Sequence, residues 1–144
     1  MKEIRLTILI ALVFIGVGST GAIAHAIEPG SKVFLLYQMS EDGPDVDGED
    51  AIGMLKTQLV GKTKLNVVLD LSDADFIVEF TAVKRGANNR RAKAVLKRAG
   101  SEEVVFETKW IRGTTNAFSG YSGTRHTIQR ITKALINEFP SIER

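Results

Sequence analysis

No cysteine occurs in the 144 residues of this chain. That absence excludes a disulfide framework, a thiolate zinc site and the acylated cysteine of a bacterial lipoprotein. Histidine is nearly as scarce, with His25 and His126 alone, and the chain has a single tryptophan, Trp110. Nor is there an uninterrupted run of about 20 apolar residues, the length a membrane-spanning helix needs. What remains is 44% hydrophobic and 25% charged, the balance of one ordinary globular domain stabilised by packing.

The N-terminal stretch reads as an export leader. "MKEIR" is mildly basic, "LTILIALVFIGVG" is an apolar run of signal-peptide length, and "AIAHA" places Ala24 and Ala26 in the A-x-A cleavage pattern. Gly16, Gly18, Ser19, Thr20 and Gly21 break the run before it reaches spanning length. Residues 1–26 are therefore expected to be removed, leaving one domain over 27–144 in a periplasmic or extracellular setting. His25 leaves with the leader, and a histidine-based metal site is not expected. No cofactor is expected either.

Charge is unevenly spread along the expected mature chain. Residues 27–83 hold 11 acids and 4 bases, net −7, whereas residues 84–144 hold 5 acids and 13 bases, net +8. The whole-chain pI near 9.0 thus overstates the attraction to polyanions, because the domain is two-sided in sequence.

Periodicity gives the order of elements. "SKVFLLYQ" is a buried first strand. In "GEDAIGMLKTQLVGK", Ile52, Leu55 and Leu59 form an amphipathic helical stripe that Gly61 ends. "KLNVVLDL" and "DADFIVEFTAVK" are the next two strands, the latter alternating Phe76, Val78, Phe80 and Ala82 against Ile77, Glu79 and Thr81. "RAKAVLKRA" sets Ala92, Ala94 and Leu96 against Arg91, Lys93 and Lys97. "VVFETKWI" turns Val104, Phe106, Thr108 and Trp110 inward, and "TRHTIQRITKALINEFP" is a closing helix stopped by Pro140. The expected fold is a two-layer α+β sandwich: about five mostly antiparallel strands, two helices on one face, and a polar opposite face. The first two strands, joined by a helix, should lie parallel.

The stretch "WIRGTTNAFSGYSGTRH" holds glycines, hydroxyls, Arg125 and His126, yet fits no phosphate loop: six residues separate Gly113 from Gly120 and no lysine follows. "GYSG" is not a nucleophile elbow, since Gly123 directly follows Ser122. Ser122 and His126, four apart, frame the alternative of a small serine hydrolase, for which no carboxylate or oxyanion hole is identified. The plainer reading makes Ser122 or Thr124 the cap of the last helix. A third reading lets Asn116, Tyr121, Ser122 and Arg125 hold an anion at that helix start. "DGPDVDGED" fails as a calcium loop, because Asp50 stands where glycine is required and Lys56 where the bidentate glutamate belongs.

Lys84, Arg85, Arg90, Arg91, Lys93, Lys97 and Arg98 crowd into 15 residues. They are either a solvated face with cross-strand pairs such as Lys93 or Lys97 with Glu107, or an outward-facing contact for anionic material. The leader disfavours nucleic acid, leaving acidic lipid headgroups, lipopolysaccharide, cell-wall polymer or an acidic protein.

"MLKTQL" on a helix, "LNVVLDLSDADFIVEF", the charged meander and "TKALINEFP" together resemble small exported envelope domains: the curli-secretion component family, the lipoprotein activators of penicillin-binding proteins, and uncharacterised exported lipoprotein domains. The resemblance implies a non-enzymatic envelope protein that binds or assists another envelope component. The missing lipoprotein cysteine and the lack of long amphipathic hairpins mean that anchoring and secretion do not carry over.

Overall fold

Residues 26–40, 47–84, 89–114 and 122–144 are described by the computed structural model. Ile27 already belongs to the core, 1% exposed. The run KVFLLY forms β1 (Lys32–Tyr37). Helix α1 (Gly48–Lys62) starts at Asp47, whose side chain accepts from the Asp50 amide at 3.0 Å, and carries Glu49 and Asp50 in its first turn, where carboxylates favour the positive end of the dipole. It ends at Thr63 rather than Gly61. The Thr63 amide and hydroxyl both donate to the Leu59 carbonyl, at 2.9 and 2.6 Å.

The next strand is shorter than its apolar run. β2 covers only Asn66–Val68, because Asp70 caps a 3-10 turn, Leu71–Asp73, by accepting from the Ser72 amide and hydroxyl at 2.9 and 2.8 Å. β3 (Phe76–Lys84) and β4 (Asn89–Arg98) then form a long antiparallel pair. The last expected strand is two. β5 (Val104–Glu107) and β6 (Ile111–Thr114) both pair with β4 and are separated at Thr108. There the Thr108 hydroxyl accepts from the Ala94 amide at 3.0 Å while the Thr108 amide donates to the Ala94 carbonyl at 2.9 Å. A side chain thus replaces a backbone acceptor and the ladder breaks. Trp110 sits beyond this break, 42% exposed, rather than in a continuous inward-facing strand.

The sheet is mixed and six-stranded, in the order β2-β1-β3-β4-β5 with β6 also on β4. β1 runs parallel to β2, as the helical crossover predicts, and also parallel to β3 on its other side; the other pairings are antiparallel. Helix α2 (Gly123–Glu138) closes the fold with Phe139 as its C-cap before Pro140. Leu55 and Leu59 of α1 and Ile128, Ile131 and Leu135 of α2 share one buried cluster with Val33, Val78, Phe80, Ala94 and Leu96 of the sheet. This is the expected α+β sandwich with both helices on one face.

Candidate functional site

Strand register decides what the basic cluster can do. Paired residues point to the same side of a sheet and alternate along each strand. Arg91, Lys93 and Lys97 therefore share the open side with Glu79 and Ile77, while Arg90 shares the helix side with Ala92, Ala94 and Leu96. Arg98 also lies on the helix side, its guanidinium 5.6 Å from the centre of the Phe76 ring. Arg90 is thus not outward-facing with its neighbours: it is the register partner of Gly113, which lies directly against α2. Lys84 is in β3, but its side chain and all of Arg85 lie outside the described residues.

Two of the open-side bases are neutralised within the chain. Lys93 pairs with Glu107, and Lys97 reaches Glu79 at 2.9 Å and Glu102 at 3.6 Å. Lys97 and Glu79 are 21% and 19% exposed, so this pair is better shielded from water than the others. The hydrogen bond to Glu79 raises the Lys97 pKa above its ordinary value, outweighing the opposing effect of desolvation. Arg98 pairs with Glu103 at 3.0 Å. Solvated cross-strand pairing accounts for Lys93 and Lys97, and Glu79 is a partner that periodicity had marked only as a strand residue.

Arg91 and Arg112 remain. They are register partners across β4 and β6, and among the described residues neither has a carboxylate partner. Arg112 was missed in the sequence because it lies outside the dense basic run.

The open face is also less polar than expected. Phe34, Leu36, Val68, Ile77, Val95 and Val104 share it by register, with Leu36 and Val104 left 41% and 49% exposed. The Lys97–Glu79 pair lies among them, with Glu79 between Leu36 and Val95 and Lys97 between Ile77 and Val104. The signal was present in "FLLY" and "NVV", which do not alternate and so must place apolar side chains on both faces.

At the start of α2, Ser122 acts as the N-cap, its hydroxyl accepting from the Arg125 amide at 3.5 Å. Nδ1 of His126 accepts from the Thr114 amide at 3.4 Å, tying the helix to β6. Arg125 lines an open groove of about 640 Å³ between α1 and α2, with Glu49, Asp50 and Gln129 on its walls. Asn116 and Tyr121 lie outside the described residues, so the expected loop site is represented by Ser122 and Arg125 alone. Among the described residues no helix is long and apolar enough to cross a membrane, and no three acidic or histidine side chains are grouped as metal ligands.

No protein-family model matches this chain, and no curated protein matches it. Among solved structures it is similar in fold to a dodecamer of a PelC point variant from Paraburkholderia phytofirmans, at TM-score 0.52 and 13% identity over 83% of this chain and 94% of that one. Protein XCC0632 from Xanthomonas campestris, assigned to the DUF330 family model, matches at TM-score 0.43 and 12% identity over 74% and 81% of the two chains. The hypothetical protein CT253 from Chlamydia trachomatis matches at 0.41 and 11% over 78% and 94%.

Proposed function

We propose that this chain is an exported, non-enzymatic accessory domain of the bacterial envelope that docks a partner protein on the open face of its sheet. One observation carries the reading. Both helices cover the same side of the sheet, and the opposite side presents Leu36, Ile77, Val95 and Val104 interleaved with the Lys97–Glu79 ion pair, which is satisfied within the chain. A partner docked there would bury apolar area without stranding a charge, because Lys97 and Glu79 already satisfy each other. Leu36 and Val104, 41% and 49% exposed on the side away from both helices, mark the part of this face open to an interaction, whereas Val83 at its far end is buried.

The basic leader, its apolar run and the A-x-A pattern support export. The cap formed by Ser122 supports a structural role for a residue otherwise eligible as a nucleophile. The likeness to PelC, described as a dodecamer, supports a fold of this type taking part in contacts between chains.

Site-specific photocrosslinking in the native envelope tests the reading. A crosslinking residue at Leu36 or Val95 should capture a defined envelope protein, and one at Gln58 in the helix groove should not. Capture from Gln58 alone, or from none of the three, overturns it.

A further inference from the structure

We propose that Arg91 and Arg112 form an oxyanion-binding site at the β4–β6 end of the open face, selective for an acid whose anionic oxygens lie next to a hydroxyl or N–H. This goes beyond the docking reading, because it concerns a small charged group and stands whether or not the apolar residues of that face bind protein.

The site is a two-by-two array fixed by register. Arg91 faces Arg112, and two residues along the same side Asn89 faces Thr114. Directly opposed side chains on antiparallel strands have Cβ atoms about 4.5–5.5 Å apart, close enough for two guanidinium groups to converge on one anion. Like charges in that position repel. On the same face Lys93 and Lys97 each have a carboxylate, and among the described residues Arg91 and Arg112 do not. The repulsion is therefore left for a ligand to relieve.

Two buried atoms indicate which ligand. Among the described residues, Nε of Arg91 is shielded from solvent and has no acceptor, and Oδ1 of Asn89 is shielded and has no donor. Buried polar atoms in folded proteins are nearly always satisfied, so this pair calls for an explanation. Guanidinium groups present planar forks that match the paired oxygens of carboxylate or phosphate. An oxyanion accepting from Arg91 and Arg112 answers the first atom. A hydroxyl or N–H on the same ligand, donating to Asn89, answers the second. Arg112 and Thr114 are exposed and β6 borders the sheet, so the array is open to solvent on that side.

Titrating the purified protein with inorganic phosphate, acetate and glycolate, each against chloride at equal ionic strength, tests the site by following the Arg side-chain Nε–H resonances. Saturable shifts at Arg91 are expected, with glycolate binding more tightly than acetate because its hydroxyl reaches Asn89. The tighter of phosphate and glycolate identifies the anionic group. Arg112→Gln should weaken binding at least tenfold while the fold, read from the backbone amide spectrum, is retained. Asn89→Ala should remove the preference for glycolate over acetate. Shifts no larger than those from chloride, or unchanged affinity in Arg112→Gln, would overturn the proposal. Equal binding of glycolate and acetate by the wild type overturns the selectivity.

Discussion

Gly113 of β6 lies directly beneath Gly123 at the start of α2, so close that a Cβ on Gly113 would collide with the Gly123 carbonyl oxygen and come within 2.6 Å of the Thr127 methyl. Neither neighbour is the far end of a flexible side chain. Gly113→Ala must therefore push α2 away from the sheet, and a loss of about 1–3 kcal/mol is expected from overpacking of this kind. Gly53, on the exposed side of α1 with nothing within 4 Å of its would-be Cβ, is the control. Gly53→Ala should gain about 0.5–1 kcal/mol. Urea denaturation of the two variants should move the midpoint in opposite directions, and a neutral Gly113→Ala would show that the helix can yield.

Ser122 offers a second test, of chemistry as well as stability. Its hydroxyl caps α2, so Ser122→Ala should cost about 0.5–2 kcal/mol. The cap distance of 3.5 Å favours the low end of that range. A fluorophosphonate probe for active-site serines should label neither wild type nor variant. Wild-type labelling that disappears in Ser122→Ala would revive the hydrolase reading.

Helix α2 and the inward residues of β3 and β4 were legible in the sequence because their apolar periods are strict, and α1 through the fourfold spacing of Ala51, Leu55 and Leu59. Phe76, Val78, Phe80, Ala82, Ala92, Ala94 and Leu96 are all buried, as alternation requires. What escaped was set by side-chain hydrogen bonds and by pairing between distant segments. Asp70 shortens β2 by capping a turn, and Thr108 splits the last strand by substituting for a backbone acceptor. Neither residue departs from a strand pattern by hydropathy. The basic cluster looked uniform in sequence, yet only register reveals that Arg90 turns toward the helices, that Glu79 takes up Lys97, and that Arg112 comes to face Arg91.

The Lys97–Glu79 pair makes stability depend on alkaline pH. Lys97 has a higher pKa folded than its ordinary value of 10.5. Its contribution is therefore fully present below that value and is lost as pH rises through the folded pKa. Thermal melts between pH 9 and 12 should show Lys97→Met losing less stability with rising pH than the wild type. Parallel curves for the two proteins would mean that the pair does not couple protonation to folding.

Charge reversal separates the paired lysines from the opposed arginines. Lys93→Glu sets a second carboxylate beside Glu107, and Lys97→Glu sets one beside Glu79 and Glu102, so each removes an attraction and creates a repulsion. For the more exposed Lys93–Glu107 pair the lost attraction alone is about 0.2–1 kcal/mol. Arg91→Glu acts in the other sense, since it replaces a like-charge contact with Arg112 by an attractive one. In low salt the two lysine variants should melt below the wild type, and Arg91→Glu should melt at or above it. Raising salt toward 1 M, where the Debye length falls to about 3 Å, should narrow all three differences. If the three reversals melt alike, the charges on this face are fully solvated, and neither the ion pairs nor the Arg91–Arg112 repulsion shapes the fold.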